Sequence, residues 1–182
     1  MFELEKRMFN KLSTVLLALI LLCSCSSHTE LAQLDIGISA YENSDLMVKI
    51  VFDDKFYPPA GAIGCCWGNA QKKGSFWVAE IPHKVDVEWR DYKQAKLYRA
   101  SFKVQRKKAY HIIDELTPVT FASGRVDDAV NPFIIFGFGE GGEVKMWISN
   151  SAFAGVKGRI LEEIGSAQAT WEAFELTDEM FR

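Results

Sequence analysis

The stretch Phe133-Ile-Ile-Phe-Gly-Phe138, followed by Gly139-Glu-Gly-Gly142 and Glu143-Val-Lys-Met-Trp-Ile148, reads as two strands joined by a turn. Residues 133–138 are apolar at both parities, which predicts a central strand. From Glu143 onward the apolar residues Val144, Met146 and Ile148 return at every second position. That spacing predicts a strand with one buried face, and the short glycine-rich connection suits a hairpin. The same residues offer a competing motif. Gly137, Gly139 and Gly142 match G-x-G-x-x-G literally, but a dinucleotide site needs a helix there, whose first amides hold the pyrophosphate. A strand follows instead, so the glycines belong to the turn.

Working outward, the alternation repeats. Leu34, Ile36, Ile38 and Ala40 alternate with Asp35, Gly37 and Ser39. Leu46, Val48, Ile50 and Phe52 resume the pattern after the polar turn Glu42-Asn43-Ser44-Asp45, and Val85, Val87 and Trp89 follow. Tyr98, Ala100, Phe102 and Val104 close the series. Each predicts a strand buried on one face, the pattern of antiparallel sheet. One helix is predicted over Arg106–Leu116, where Ala109, Tyr110, Ile112, Ile113 and Leu116 fall at helical spacing and Pro118 restricts Thr117. Residues 158–176 fit either state: Ile160, Ile164 and Ala167 suit a helix, while Gly165 and Thr170 favour a strand. The expected fold is mainly β, α+β at the margin, with antiparallel sheets in a sandwich-like arrangement and one short helix near 106–116. A single domain is expected over 34–182.

The chain has 182 residues, 48% of them apolar, too many for intrinsic disorder. A net charge of -3 argues against nucleic acid as the main partner, because phosphate binding wants a basic excess. The first residues read as an address. Leu12 to Leu22 is almost wholly apolar but far short of the ~18 residues that span a bilayer as a helix. Lys6, Arg7 and Lys11 precede it and small residues follow, the layout of a secretory signal. Glu3 and Glu5 are unusual in such a segment, which makes Met8 an alternative start. Leu22-Cys23-Ser24-Cys25 looks like a bacterial lipobox with Cys25 as the lipidated residue; an ordinary cleaved signal is the alternative. Cys23 is the poorer acceptor because Leu21 and Leu22 before it are bulky.

These residues predict a signal peptide over 1–24 and a tether over 25–33. Removing 24 residues from 182 leaves a mature chain of 158, with a net charge of -4. Acyl chains would hold it to the membrane at ~0.8 kcal/mol per buried methylene. Ser26 and Ser27 follow Cys25 without an Asp, which by resemblance to sorting in enterobacteria-like cells points to the periplasmic face of the outer membrane.

The search for chemistry yields little. Cys65-Cys66 allows buried thiols, a vicinal disulfide or an intermolecular bridge. Adjacent residues on a strand point to opposite faces and free Cys packs as a small hydrophobe, so buried thiols are the favoured reading; an oxidising compartment permits the bond. No metal site is expected, since the mature chain has only His28, His83 and His111 to complete four zinc ligands. No nucleophile stands out, and Asp53-Asp54, Asp127-Asp128 and Glu162-Glu163 read as solvated doublets. Neither catalytic residues nor a small-molecule cofactor is predicted.

Two features suggest surfaces. Arg90, Lys93, Lys96, Arg99, Lys103, Arg106, Lys107 and Lys108 stand against Asp91 alone, a local charge of +7. This is either a solvated, internally paired face or a docking surface in which Arg99, Lys103 and Lys107 take part. Trp89 shares the inward parity of its strand and should be core. Trp147 has the opposite parity to Val144, Met146 and Ile148, which makes it a binding anchor or the core of a second layer. Trp67 is the other aromatic candidate for a binding surface.

Taken in order, Gly64-Cys-Cys-Trp-Gly68, Ile81-Pro82, Val85-Asp-Val-Glu-Trp89, Lys96-Leu-Tyr98 and Phe136-Gly-Phe-Gly-Glu-Gly-Gly-Glu-Val-Lys-Met-Trp147 form a pattern. Over about residues 34–170 it resembles the bacterial lipoprotein family catalogued as domain of unknown function 2931. The resemblance implies an envelope protein and supplies no reaction. Some lipoproteins of this kind lie beside secreted antibacterial effectors, which implies a candidate role in immunity. The expected function is a non-enzymatic, membrane-anchored lipoprotein that binds a protein partner, an effector or an envelope protein. An envelope structural or assembly lipoprotein docking through the basic strand is the alternative. A periplasmic hydrolase comes third, and would need His83 or His111 in a cleft with a Ser or Cys and a carboxylate.

Overall fold

The computed structural model describes residues 33–77 and 80–176; the expected signal segment, Cys25 and the tether up to residue 32 lie outside them. The alternating stretches become strands β1 (Leu34–Ala40), β2 (Leu46–Phe52), β3 (Gly61–Ile63), β4 (Gln71–Phe76), β5 (Lys84–Asp91) and β6 (Lys96–Lys103). Helix α1 (Arg106–Asp114) follows, then β7 (Val119–Thr120), β8 (Val126–Asp127), β9 (Phe133–Phe138), β10 (Glu143–Ser149), β11 (Leu161–Gln168) and β12 (Thr170–Ala173). One sheet has the order β11-β10-β9-β1-β4, the other β12-β6-β5-β2-β3, and β7 and β8 form a small ribbon. The fold is mainly β, as the alternation predicts.

The sheets pack through their alternating apolar faces. Leu34, Ile36, Ile38, Phe136, Phe138, Val144 and Met146 from the first meet Leu46, Val48, Ile50, Val87, Trp89 and Tyr98 from the second. Trp89 stacks on Tyr98 at 4.9 Å and touches Phe138 at 5.0 Å between ring centroids, so the inward parity expected of Trp89 holds. Ala109 and Ile112 bury one side of α1 against this core. Burial of such side chains contributes ~1.5–3 kcal/mol each before entropy is counted. The hairpin forms as read: Gly139 N–H donates to Glu143 O at 2.8 Å, and Gly142 turns the chain at φ 86. That conformation favours glycine.

Three features depart from the sequence reading. First, β1 and β9 run parallel, Asp35 opposite Phe133 through Ala40 opposite Phe138, so the first sheet is mixed. A period of two is the same whichever way a neighbour runs. Second, β1 is buried on both faces. Its polar residues are satisfied in place: Asp35 accepts from Lys72 at 2.6 Å and from Ser75, while Ser39 Oγ donates to Phe136 O at 3.0 Å. Third, the stretch 158–176 takes the strand alternative, over Leu161–Gln168 and Thr170–Ala173. Their chain changes sheet at Ala169, β11 pairing with β10 and β12 with β6. Gly165 permits this approach, because a Cβ there would stand 2.9 Å from the ring of Phe102.

Candidate functional site

The outer face of the first sheet carries a second, smaller layer. Ala70, Ile135, Trp147 and Ala152 form its core, with Phe133 and Leu161 packed against them. Two irregular segments cover that face: residues 64–70 after β3, and residues 150–160 after β10. Neither has the alternation of a strand, so hydrogen bonds must hold them. Ala40 N–H donates to Cys65 O at 2.9 Å, Gly68 N–H to Ser39 Oγ at 3.1 Å, and Ala70 N–H to Ala152 O at 2.9 Å. Asn69 Oδ1 accepts from Ala154 N–H at 2.9 Å, and Asn150 Oδ1 from Ile160 N–H at 2.8 Å.

Arg159 joins the two segments. Its guanidinium donates to Gly68 O at 2.5 Å and to Ser151 O at 3.2 Å. Burial pushes its pKa below the ordinary arginine value, yet arginine starts so high that the cation persists at neutral pH. This residue had no signal in the sequence beyond lying in a polar stretch.

The cysteines overturn the favoured sequence reading. Cys65 and Cys66 are not buried thiols: they are partly exposed and joined to each other in a vicinal disulfide. The opposite-face argument presumed a continuous strand. Instead β3 ends at Ile63, and Cys66 has φ 79, a left-handed turn. The disulfide lines a cavity of about 340 Å³ together with Ile63, Asn69, Gln71 and Phe153.

Phe153 faces solvent at this cavity, and Trp67 does so next in the chain after Cys66. Phe153 is 55% exposed and Trp67 39%. Phe121 lies 6.4 Å from Phe153, and the Arg125 guanidinium stands 4.4 Å above the Phe121 ring. Phe153, Phe121 and Arg125 escaped the sequence reading because no periodicity marks them. Trp147 resolves as the core of the second layer: it is 7% exposed, so it does not serve as the surface anchor also entertained for it. Of the two aromatic candidates, Trp67 alone is at the surface, resting edge-on against Trp147.

Three of the eight cations of the basic run, Arg99, Arg106 and Lys108, are ion-paired within the molecule. Arg99 contacts Glu88 at 2.9 Å and Glu172 at 2.7 Å. Those two acids, Glu172 first, hold its pKa above the ordinary value. Arg106 pairs with Glu80, and Lys108 meets Glu162 at 3.5 Å. Lys96 sits 4.4 Å from the ring of Trp171. Lys103 and Lys107 remain exposed, without an ion-pair partner among the described residues. Glu172 and Glu162 of the C-terminal stretch thus partner Arg99 and Lys108, and a groove of about 530 Å³ over this face is lined by Lys49, Asp86, Glu88 and Arg99, of which Glu88 and Arg99 pair.

The two histidines among the described residues, His83 and His111, are both exposed. The ring of His83 lies against Arg106, and His111 stands 3.5 Å from Glu115 on the surface of α1. Compared with known proteins, the chain matches no family model, no curated protein and no solved structure.

Proposed function

We propose that this chain is a lipid-anchored periplasmic protein that binds a protein partner through the aromatic surface of its second layer, and that the partner is a secreted antibacterial effector which it neutralises. The observation that carries this reading is a pair of exposed aromatics at the Cys65–Cys66 disulfide: Phe153, which lines the cavity beside it, and Trp67, next in the chain after Cys66, with half-buried Phe121 6.4 Å from Phe153. Large aromatic side chains left together in solvent mark interaction surfaces, and such residues with a neighbouring Arg dominate interface energetics. The Leu22-Cys23-Ser24-Cys25 pattern supplies the anchor, and the resemblance to domain of unknown function 2931 supplies the association with effectors. Binding by occlusion asks for a complementary surface and no chemistry of its own.

The test begins with a search for an antibacterial effector encoded beside this gene, followed by a challenge from sibling cells delivering it. Cells lacking the chain should die, and the wild-type chain should restore survival. Phe153→Asp, produced at the same level, should not. Unchanged survival on deletion, or full protection by Phe153→Asp, would sink the proposal.

A further inference from the structure

We propose that the Cys65–Cys66 disulfide is a thiol–disulfide exchange site that takes a small dithiol reductant and sets the conformation of Trp67 and its neighbour Trp147 by its redox state. The inference is independent of the partner-binding reading. Its first support is access. Both cysteines are partly exposed and border an open cavity of about 340 Å³, so a small thiolate can approach the sulfurs.

The second support is local geometry. The bond ties neighbouring residues, so no distant elements are stapled by it, and neither cysteine belongs to the sandwich core. A cross-link stabilises chiefly by the length of chain that it closes, which here is nil. What the bond does constrain is its own turn, with Cys66 at φ 79, a conformation that residues with a side chain seldom adopt.

The third support is the lever arm. Trp67 is next in the chain after Cys66, and its ring centroid lies 5.4 Å from that of Trp147, edge to face. Gly68, just beyond, is fixed by its N–H bond to Ser39 Oγ at 3.1 Å. A torsional change at Cys66 therefore falls on Trp67, between a freed turn and a fixed one.

The exchange balances as follows. A thiolate of the dithiol attacks one cysteine sulfur, forming a mixed disulfide while the Cys65–Cys66 bond breaks. The displaced sulfur leaves as a thiolate and takes up a proton. The second thiol of the reductant, deprotonated, then attacks the mixed disulfide and departs as part of a cyclic disulfide, and the remaining cysteine is protonated. The protein gains two electrons and two protons, and the dithiol loses the same.

Dithiothreitol serves as the probe on the purified chain without denaturant. Iodoacetamide trapping and peptide mass spectrometry should find both Cys65 and Cys66 alkylated. In heteronuclear NMR spectra the indole N–H resonances of Trp67 and Trp147, assigned through Trp67→Phe and Trp147→Phe, should move on reduction, while that of Trp89 in the main core stays. A Cys65→Ser, Cys66→Ser double variant should show the reduced positions without reductant. Alkylation only after denaturation overturns the access claim. Alkylation with unmoved Trp67 and Trp147 resonances overturns the coupling, and collapse of all indole resonances on reduction shows a structural staple instead of a local switch.

Discussion

The indoles of Trp67 and Trp147 meet edge to face, 5.4 Å between ring centroids, in the space left by the missing side chain of Gly137. One ring is exposed and the other buried, so the pair ties the surface of the second layer to the sheet beneath it. Edge-to-face contacts of this kind contribute ~0.5–1.5 kcal/mol beyond the area they bury.

Gly137→Ala should disrupt this arrangement. The new Cβ would stand 2.5 Å from Trp147 Cζ3 and 3.1 Å from Trp67 Cζ3, and neither rigid ring has a flexible end to withdraw. Overpacking of this kind costs about 1–3 kcal/mol. Urea unfolding should show a lower midpoint with unchanged slope; an unaltered midpoint would mean that the rings shift freely.

Arg159→Ala should loosen the second layer while leaving the sandwich folded. The guanidinium satisfies carbonyls of two segments at once, Gly68 O and Ser151 O, and hydrogen bonds to charged groups contribute ~1.5–3 kcal/mol. Hydrogen exchange should accelerate at Gly68 and Ala70 before it does in β5. Uniform acceleration across the chain would contradict the separate-layer reading.

Alkaline pH should destabilise the protein through Tyr41. Its hydroxyl bonds to Asp91, which is buried, and burial first, then that bond, hold the phenol above its ordinary value of 10.0. The folded state thus keeps a proton that the unfolded state gives up. The contribution is complete below pH 10 and is lost as pH rises beyond it. Melting temperatures measured between pH 8 and 11 should fall less steeply for Tyr41→Phe than for the wild type; parallel profiles would remove Tyr41 as the cause.

Lipidation is checked at its own residue. Cys25→Ser should abolish palmitate labelling and shift the chain from the membrane to the soluble fraction. The reading of Leu22-Cys23-Ser24-Cys25 as a lipobox fails if both measurements stay unchanged.

Where one side of a strand is apolar, the chain announces the fold. Leu46 to Phe52 and Val85 to Trp89 were readable at once, because alternation has few other causes. Polar strands were not. β4 carries Gln71-Lys-Lys-Gly-Ser before Phe76 and owes its state to pairing with β1, a long-range contact that no local pattern encodes. Both-sided burial of β1 was hidden for a related reason. Asp35 and Ser39 look like solvent residues until Lys72, Ser75 and Gly68 are brought to them. The site was legible in parts: parity separated Trp147 from Met146, but Phe153 and Arg159 sit in segments shaped by hydrogen bonds, which leave no period in the sequence. The cysteine pair was misjudged because the strand was presumed to continue past Ile63.

The place of β1 at the heart of its sheet has a temporal side. Among the described strands it comes first in the chain, yet its parallel neighbour is β9, about a hundred residues later. Once β4 has joined one edge of β1, the other edge still presents unpaired backbone groups from Asp35 to Ala40. They stay open until Phe133–Phe138 has paired with them. Such distant pairings close slowly, and an open edge invites pairing with other chains. The folding protein therefore passes through an interval in which its most fully buried strand is its most vulnerable one, and the speed with which Phe133–Phe138 docks bears on how much of it survives.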